Sequence, residues 1–144
     1  MRPRTRIFVA CQLLLAAAAA RADLYVVVHA DNPVRQISAK ETVDLFMGRK
    51  RSFPDGDHAL PFDLPRDSAA RAGFYRALTG MDLAQINSYW ARLMFSGQTM
   101  PPQPMPSEAA MLEVVKRNPG AIGYLSQEPA DKGVRVVLVL PEPR

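Results

Sequence analysis

The sequence predicts a single α/β domain in which helices cover a small mixed β-sheet. Three observations support this fold class. Short apolar runs rich in β-branched residues lie at 24–28 and 134–140, near the two ends of the chain. Segments with helical periodicity and capping residues lie between those runs. About 120 residues follow the first 22, enough for one core and too few for two domains.

The first half of this domain is predicted to run strand, helix, strand. Residues 24–28 (LYVVV) have the composition of a buried strand. The segment SAKE at 38–41 is a capping-box pattern, and Gly48 stands where a helix of about three turns would stop. Residues 59–63 (ALPFD) predict a short strand, in which Pro61 indicates an edge position or an irregularity.

The second half is predicted to hold three helices followed by two strands. A helical pattern runs from Asp67 to Gly80, which suits a C-cap, and Asp82 can cap the next helix. Residues 99–106 (TMPPQPMP) predict an extended, polyproline-like connection, after which Ser107 caps another helix. The remaining strand-like runs are AIGYL at 121–125 and VRVVLVL at 134–140.

Residues 1–22 are expected to be a cleaved signal peptide. Three arginines precede an apolar run at 7–20, and Ala20-Arg21-Ala22 fits the small-x-small cleavage pattern. The run is too short for a membrane span, and no stop-transfer pattern follows it. We therefore expect export to the periplasm, no membrane span after cleavage, and a folded domain over 23–144.

Charge and cysteine content exclude several function classes once this leader is set aside. Four of the 18 Lys and Arg residues lie in 1–22, which leaves 14 basic against 14 acidic residues. This balance removes a global electrostatic basis for binding nucleic acid. The single cysteine, Cys11, also lies in the leader, so neither a disulfide nor thiol chemistry is expected. Any anion binding must therefore be local.

One stretch concentrates groups that could bind an anion. In DLPRDSAARAGFYRAL at 63–78, Arg66, Ser68 and Arg71 lie where a loop enters a helix. The unpaired N–H groups and the dipole of a helix N-terminus attract anions, and a hydroxyl and two guanidinium groups would add donors. The alternative is an ordinary helix start capped by Asp67, whose charge would repel an anion. These residues alone leave both interpretations open.

Other chemistry-bearing residues lack the partners that a site needs. His29 and His58 have no ligand-spaced partner, so no metal site is expected. Neither histidine forms a nucleophile, base and orienter signature with Ser68, so no enzyme is expected. Gly120 and Gly123 are too sparse for a nucleotide fingerprint and suit a tight turn and a close strand approach, so no cofactor is expected.

Three aromatic residues, Tyr89, Trp90 and Phe95, follow helical spacing within the predicted 83–95 helix. Such spacing is typical of a helix face that packs on a core. We therefore expect these rings in the core rather than in a platform on which a ligand stacks.

Several segments together resemble the substrate-binding proteins of phosphate-type ABC transporters. They are, in order, LFMG at 45–48, SFPDG at 52–56, the stretch at 63–78 and GAIGY at 120–124. The resemblance extends over 24–126, most of the predicted domain. It implies the type II periplasmic-binding-protein fold, in which an Arg-x-x-Ser-Gly-Thr loop at a helix start holds the anion.

The resemblance also implies a function. It predicts a periplasmic, non-enzymatic solute-binding protein for phosphate or a similar oxyanion, held by Arg66, Ser68 and Arg71, with an ABC permease or another envelope protein as partner. The chain departs from the family in having length for one lobe of the usual two, and in carrying Ala69-Ala70 where the anion loop has Gly-Thr. The alternative is a protein-interaction module that keeps the fold without binding a small ligand.

Overall fold

The computed structural model describes residues 23–141, so the expected signal peptide at 1–22 lies outside the described residues. None of the helices within 23–141 is long and apolar enough to cross a membrane. The elements in chain order are β1 (Leu24–His29), α1 (Ala39–Phe46), β2 (Leu60–Asp63), α2 (Ala69–Thr79), α3 (Leu83–Phe95), β3 (Gln103–Pro104), α4 (Glu108–Arg117), β4 (Ala121–Leu125) and β5 (Val134–Leu140).

Three of the four helices within 23–141 begin at the N-cap that the sequence marks, and α2 ends at the predicted Gly80. Ser38 caps α1 and forms a reciprocal capping box with Glu41, and Asp82 forms the same arrangement with Gln85 at the start of α3. Gly80 ends α2 with φ 72°, a left-handed conformation that glycine adopts without steric cost. These helix ends are thus defined by hydrogen bonds between residues close in sequence, which do not require tertiary packing.

The five strands form one mixed sheet in the order β3-β2-β4-β1-β5. β1 lies antiparallel to both β4 and β5, whereas β2 lies parallel to β4 and to β3. The sheet is therefore mixed, as the sequence predicts. Its parallel part brings the end of β2 and the loop that follows it to the edge where α2 begins.

Helices cover both faces of this sheet. Neighbouring residues of a strand point to opposite faces, and in β4 these are Gly123 and Tyr124. The Tyr124 ring stacks on Phe74 of α2, with ring centroids 3.7 Å apart and planes 3° from parallel. A Cβ on Gly123 would instead meet Met111 of α4. β4 is consequently buried along its whole length, as expected for a strand covered on both sides.

The sequence missed one strand and misplaced another in the sheet. The predicted polyproline connection contains β3, whose two residues pair in parallel with Phe62 and Asp63. β2 is therefore an interior strand rather than an edge strand, although at Pro61 itself it pairs on one side only. Pro61 is tolerated because it pairs only with β4, at Ile122, and β3 begins one residue further along β2.

The prediction of a core position for Phe95 was also wrong, whereas Trp90 is buried as expected. Phe95 is 98% exposed and Met94 is 50% exposed. Phe95 follows the fully buried Ile86 by nine residues, which at about 100° per residue places the two on opposite sides of α3. The end of α3 thus presents apolar side chains to solvent.

Candidate functional site

The predicted site lies in the turn between β2 and α2. β2 ends at Asp63, a turn follows at 66–67, and the Ser68 N–H donates a hydrogen bond to the Pro65 carbonyl at 2.9 Å. α2 then begins at Ala69. The loop is held close to the sheet because Leu64, which follows Asp63, is buried. The helix start is thereby fixed next to the end of a sheet strand.

Ser68 is the N-cap of α2, with extended backbone angles and a side-chain oxygen that accepts a hydrogen bond from the Arg71 N–H at 3.1 Å. The interpretation in which Asp67 caps this helix was therefore wrong. Asp67 is exposed, one position before the cap. Because a hydroxyl accepts and donates at once, Ser68 keeps its proton for another acceptor while capping the helix.

Arg71 is a buried residue rather than a solvent-facing cation. Its side chain is 8% exposed, and its Nε donates to Oδ2 of Asp63, whose side chain is 6% exposed, at 3.0 Å. Its Nη1 donates to the Arg66 carbonyl at 2.9 Å and to Oδ1 of Asn87 at 3.0 Å. Arg71 therefore ties the end of β2, the turn and α3 together.

Asp63 also accepts hydrogen bonds from two buried tyrosines. The Tyr75 hydroxyl donates to Oδ2 at 2.8 Å and the Tyr124 hydroxyl donates to Oδ1, which also accepts from the Leu64 N–H at 2.9 Å. Burial, and then the charge of Asp63, raise the pKa of Tyr75 well above its ordinary value. The same two causes raise the pKa of Tyr124. We refer to Asp63, Arg71, Tyr75 and Tyr124 as the Asp63 network.

Sequence reasoning missed the Asp63 network. One available signal was the spacing of Arg71 and Tyr75, which puts both on one face of α2; the guanidinium carbon lies 5.1 Å from the Tyr75 ring centroid. Another was the carboxylate of Asp63 at the end of an otherwise apolar run. A buried carboxylate requires donors, and these three side chains supply them.

Arg66 differs from Arg71 in its surroundings. It is exposed, and its guanidinium makes no ion pair or hydrogen bond to any residue within 23–141, although its carbonyl accepts the bond from Arg71. It lies two residues before the N-cap of α2. Of the three predicted site residues, Arg66 therefore has a charge that no described residue neutralises. Ser68 is the N-cap of α2, and Arg71 forms an ion pair with Asp63.

Arg66 and Arg71 line one end of a surface groove of about 610 Å³, which we call the α2–α3 groove. Asp63 and Asn87 lie at the same polar end. The rest of the groove is apolar, with one wall from α3 and the other from the connection that contains β3. The apolar lining residues are Leu64, Trp90, Ala91, Met94, Phe95, Pro101, Pro102 and Pro104.

Trp90, which lines this groove, also carries a buried polar atom without a partner within 23–141. Its side chain is 4% exposed, and its indole nitrogen is buried with no acceptor within the described part of the chain. Buried polar atoms normally have a hydrogen-bond partner, so this indole nitrogen is an exception among the described residues. Within 23–141, no group of three His, Cys, Asp or Glu side chains could hold a metal ion.

Comparison with known proteins gives matches in structure alone. No protein-family model matches the chain, and no curated protein matches it. A protein from Clostridium perfringens assigned as a phosphate ABC transporter substrate-binding protein, solved with bound phosphate, superposes with a TM-score of 0.64 at 19% identity. That match covers 81% of this chain and 45% of the other chain.

Two further structures give the same picture. An ABC-type phosphate transport receptor from Vibrio cholerae matches with a TM-score of 0.62 at 18% identity, over 81% of this chain and 46% of that one. PstS from Borrelia burgdorferi matches with a TM-score of 0.59 at 12% identity, over 81% and 47%. This chain therefore spans less than half the length of the structures it matches. Its fold is a single mixed α/β domain that matches one lobe of periplasmic-binding-protein-like structures.

Proposed function

We propose that this protein is a periplasmic solute-binding protein that binds phosphate or a similar oxyanion at the N-terminus of α2, in association with ABC-type phosphate transport. The observation that carries the proposal is the exposed, unpaired guanidinium of Arg66 beside a helix start at the end of a sheet strand. The fold supports it, because the matched structures are phosphate-transport binding proteins.

The anion would be held by backbone and side-chain donors together. The N–H groups of Ala69 and Ala70 occupy the first two helical positions, where the helix itself supplies no acceptor. The Ser68 hydroxyl and the Arg66 guanidinium complete the donors on the loop side. Arg71 lines the same groove and uses Nε and Nη1 for its hydrogen bonds within the described residues, which leaves Nη2 for an anion.

Charge determines which residue matters most in this site. Asp63 already pairs with Arg71, so Arg71 contributes donors but little net positive charge. Arg66 has no such counter-ion among the described residues. Ala69 and Ala70 supply backbone N–H groups but no side-chain hydroxyl. The hydroxyl donor of the threonine in the family's Arg-x-x-Ser-Gly-Thr loop therefore has no replacement in this chain. Binding therefore depends chiefly on Arg66.

A protein-interaction module that keeps this fold without binding a small ligand is the second candidate. Two observations favour it. Asp63 acts as an internal counter-ion for Arg71, which reduces the need for an external anion. Phe95 is 98% exposed beside the groove, as residues at protein interfaces often are before binding. Saturable heat on titration with phosphate separates the two candidates.

The proposal is tested by isothermal titration of the protein with phosphate and sulfate, using Arg66→Ala and a matched control. Charge-assisted hydrogen bonds contribute about 1.5–3 kcal/mol, so Arg66→Ala should weaken phosphate binding about tenfold to somewhat over a hundredfold. Arg66→Lys should recover part of the loss, since an ammonium keeps the charge without the planar fork.

Arg76→Ala is the matched control, because Arg76 is an exposed arginine in the last turn of the same helix. It removes the same charge from the opposite end of α2. Melting temperatures of all variants should stay close to that of the parent, because exposed arginines contribute little to stability. Equal phosphate affinities in Arg66→Ala and Arg76→Ala would refute the proposed site.

A further inference from the structure

The α2–α3 groove extends well beyond the space that an inorganic anion at the start of α2 would fill. We propose that its ligand is an organic oxyanion, a phosphate monoester or phosphonate that carries a short apolar group. The oxyanion occupies the end near Arg66, and the apolar group lies along α3. This inference rests on the proposed function, because the anionic end uses the same donors, and it adds the chemical class of the ligand.

The volume of the groove is the first argument. At about 610 Å³ it lies within the range of roughly 300–1,000 Å³ that is typical of sites for small organic ligands. Such sites are mostly apolar with a few polar groups that fix orientation. The α2–α3 groove has this composition, with its polar groups confined to the end formed by Asp63, Arg66, Arg71 and Asn87.

The second argument is the way α3 forms one wall. Asn87, Trp90, Ala91 and Met94 follow i, i+3, i+4, i+7 spacing, so they lie along one helix face that runs away from Arg71. Asn87 contacts Arg71 at the polar end, and Met94 lies two turns further along. A ligand with an anionic head and an apolar tail matches this order of surfaces.

Local charge gives the third argument. Asp63 pairs with Arg71, and the exposed Asp67 follows Arg66 in the chain without forming an ion pair with it, so the formal charges of these four residues sum to zero. Electrostatic attraction alone therefore holds a bare anion weakly. Apolar contact supplies the missing affinity, because removing apolar surface from water is favourable in proportion to its area.

Exposure of the apolar wall is the fourth argument. Met94 is 50% exposed and Phe95 is 98% exposed, and both line the groove. A contiguous apolar surface with a polar border marks a binding region on a soluble protein. Trp90, in the same wall, adds a large aromatic ring to this apolar lining.

The test compares ligands of equal head-group chemistry and different tails. Isothermal titration is carried out with inorganic phosphate, methyl phosphate, butyl phosphate and butanol. Butyl phosphate should bind at least about tenfold more tightly than methyl phosphate, since even one methylene in an apolar pocket contributes about tenfold or more. Butanol should not bind measurably, because it lacks the oxyanion.

Phe95→Ser is the informative variant, because a side chain with 98% exposure can be replaced without unfolding the domain. It should lower the ratio of the affinity for butyl phosphate to the affinity for methyl phosphate. Val139→Thr is the matched control, since Val139 is an exposed apolar residue on β5 that does not line this groove. It should leave the ratio as in the parent.

The possible failures are distinguishable. Equal affinities for methyl and butyl phosphate overturn the organic ligand and leave oxyanion binding standing. No binding of any phosphate overturns both proposals. Sedimentation at the same protein concentrations provides the last check: a dimer that Phe95→Ser dissociates identifies the apolar wall as an interface between copies and overturns the organic ligand.

Discussion

Asp63 is the residue on which the region around the proposed site depends. Its carboxylate is buried and accepts from a guanidinium, two tyrosine hydroxyls and the Leu64 N–H. Removing one partner of such a buried pair costs about 3–5 kcal/mol, because the other charge is left uncompensated. Arg71→Ala would therefore destabilise the fold as well as remove a donor, so a loss of anion binding in this variant could not be assigned to the site. Arg66 is the better probe of anion binding.

The Asp63 network predicts a loss of stability at alkaline pH. Burial and Asp63 raise the pKa of Tyr75 and Tyr124, so both hydroxyls stay protonated in the folded protein above the ordinary value of 10.0. The unfolded chain releases these protons near that value. The stabilising contribution is therefore fully present below about pH 10, and the free energy of unfolding falls as the pH rises further.

Urea unfolding at a series of pH values checks this prediction. The parent should lose stability steeply above about pH 10, because the unfolded state then binds fewer protons than the folded state. Tyr124→Phe should be less stable at neutral pH, since Asp63 loses a donor, but its stability should depend less steeply on alkaline pH. Identical slopes for parent and variant would contradict the shifted pKa of Tyr124.

At the residue scale, the sequence predicted where the site residues lie in the fold better than which side chains they contact. The loop-to-helix pattern correctly brought Arg66 and Ser68 to the start of α2. It did not identify the pair of Arg71 with Asp63, because the two residues are joined through a strand end, a turn and a helix start. No single periodicity spans these three conformations.

At the element scale, helices were predictable because their ends carry their own signals. Ser38, Asp82 and Ser107 accept hydrogen bonds from backbone N–H groups within their own helices, so local sequence is sufficient to define them. β3 was not predictable in this way. Its residues, Gln103 and Pro104, have no strand pattern, and they form a strand only because β2 lies beside them.

Contact between β4 and α4 makes a prediction at this scale. A Cβ at Gly123 would clash with Sδ of Met111, whose side chain is fully buried. Gly123→Ala should therefore destabilise the protein by about 1–3 kcal/mol, the usual cost of overpacking a core. The glycine is thus required by the approach of a helix to the strand, rather than by the approach of another strand.

A double-mutant cycle with Met111→Ala checks the cause of this effect. Met111→Ala alone should cost about 2–5 kcal/mol through the cavity it creates. In that background, Gly123→Ala should cost much less than in the parent, because the clashing side chain is gone. Additive free energies of unfolding would show that the glycine matters for some reason other than contact with Met111.

At the scale of the whole molecule, the order and composition of the segments were enough to predict a mixed α/β domain with helices over a sheet. The sequence did not predict the apolar part of the proposed ligand. The α2–α3 groove combines the end of β2, the outer side of α3 at Phe95, and a connection whose position depends on β3. The sequence pattern assigned Phe95 to the core, so the apolar wall was not foreseen.

The central claim is that an oxyanion binds at the start of α2, and amide chemical shifts measured during a phosphate titration test it most directly. The N–H signals of Ala69 and Ala70 should shift together and saturate. The first helical residues of α4, which Ser107 caps in the same way and whose first turn carries Glu108 but no arginine, provide an internal reference for nonspecific anion effects. If the α2 amides did not shift, or shifted no more than those of α4, the claim would be contradicted.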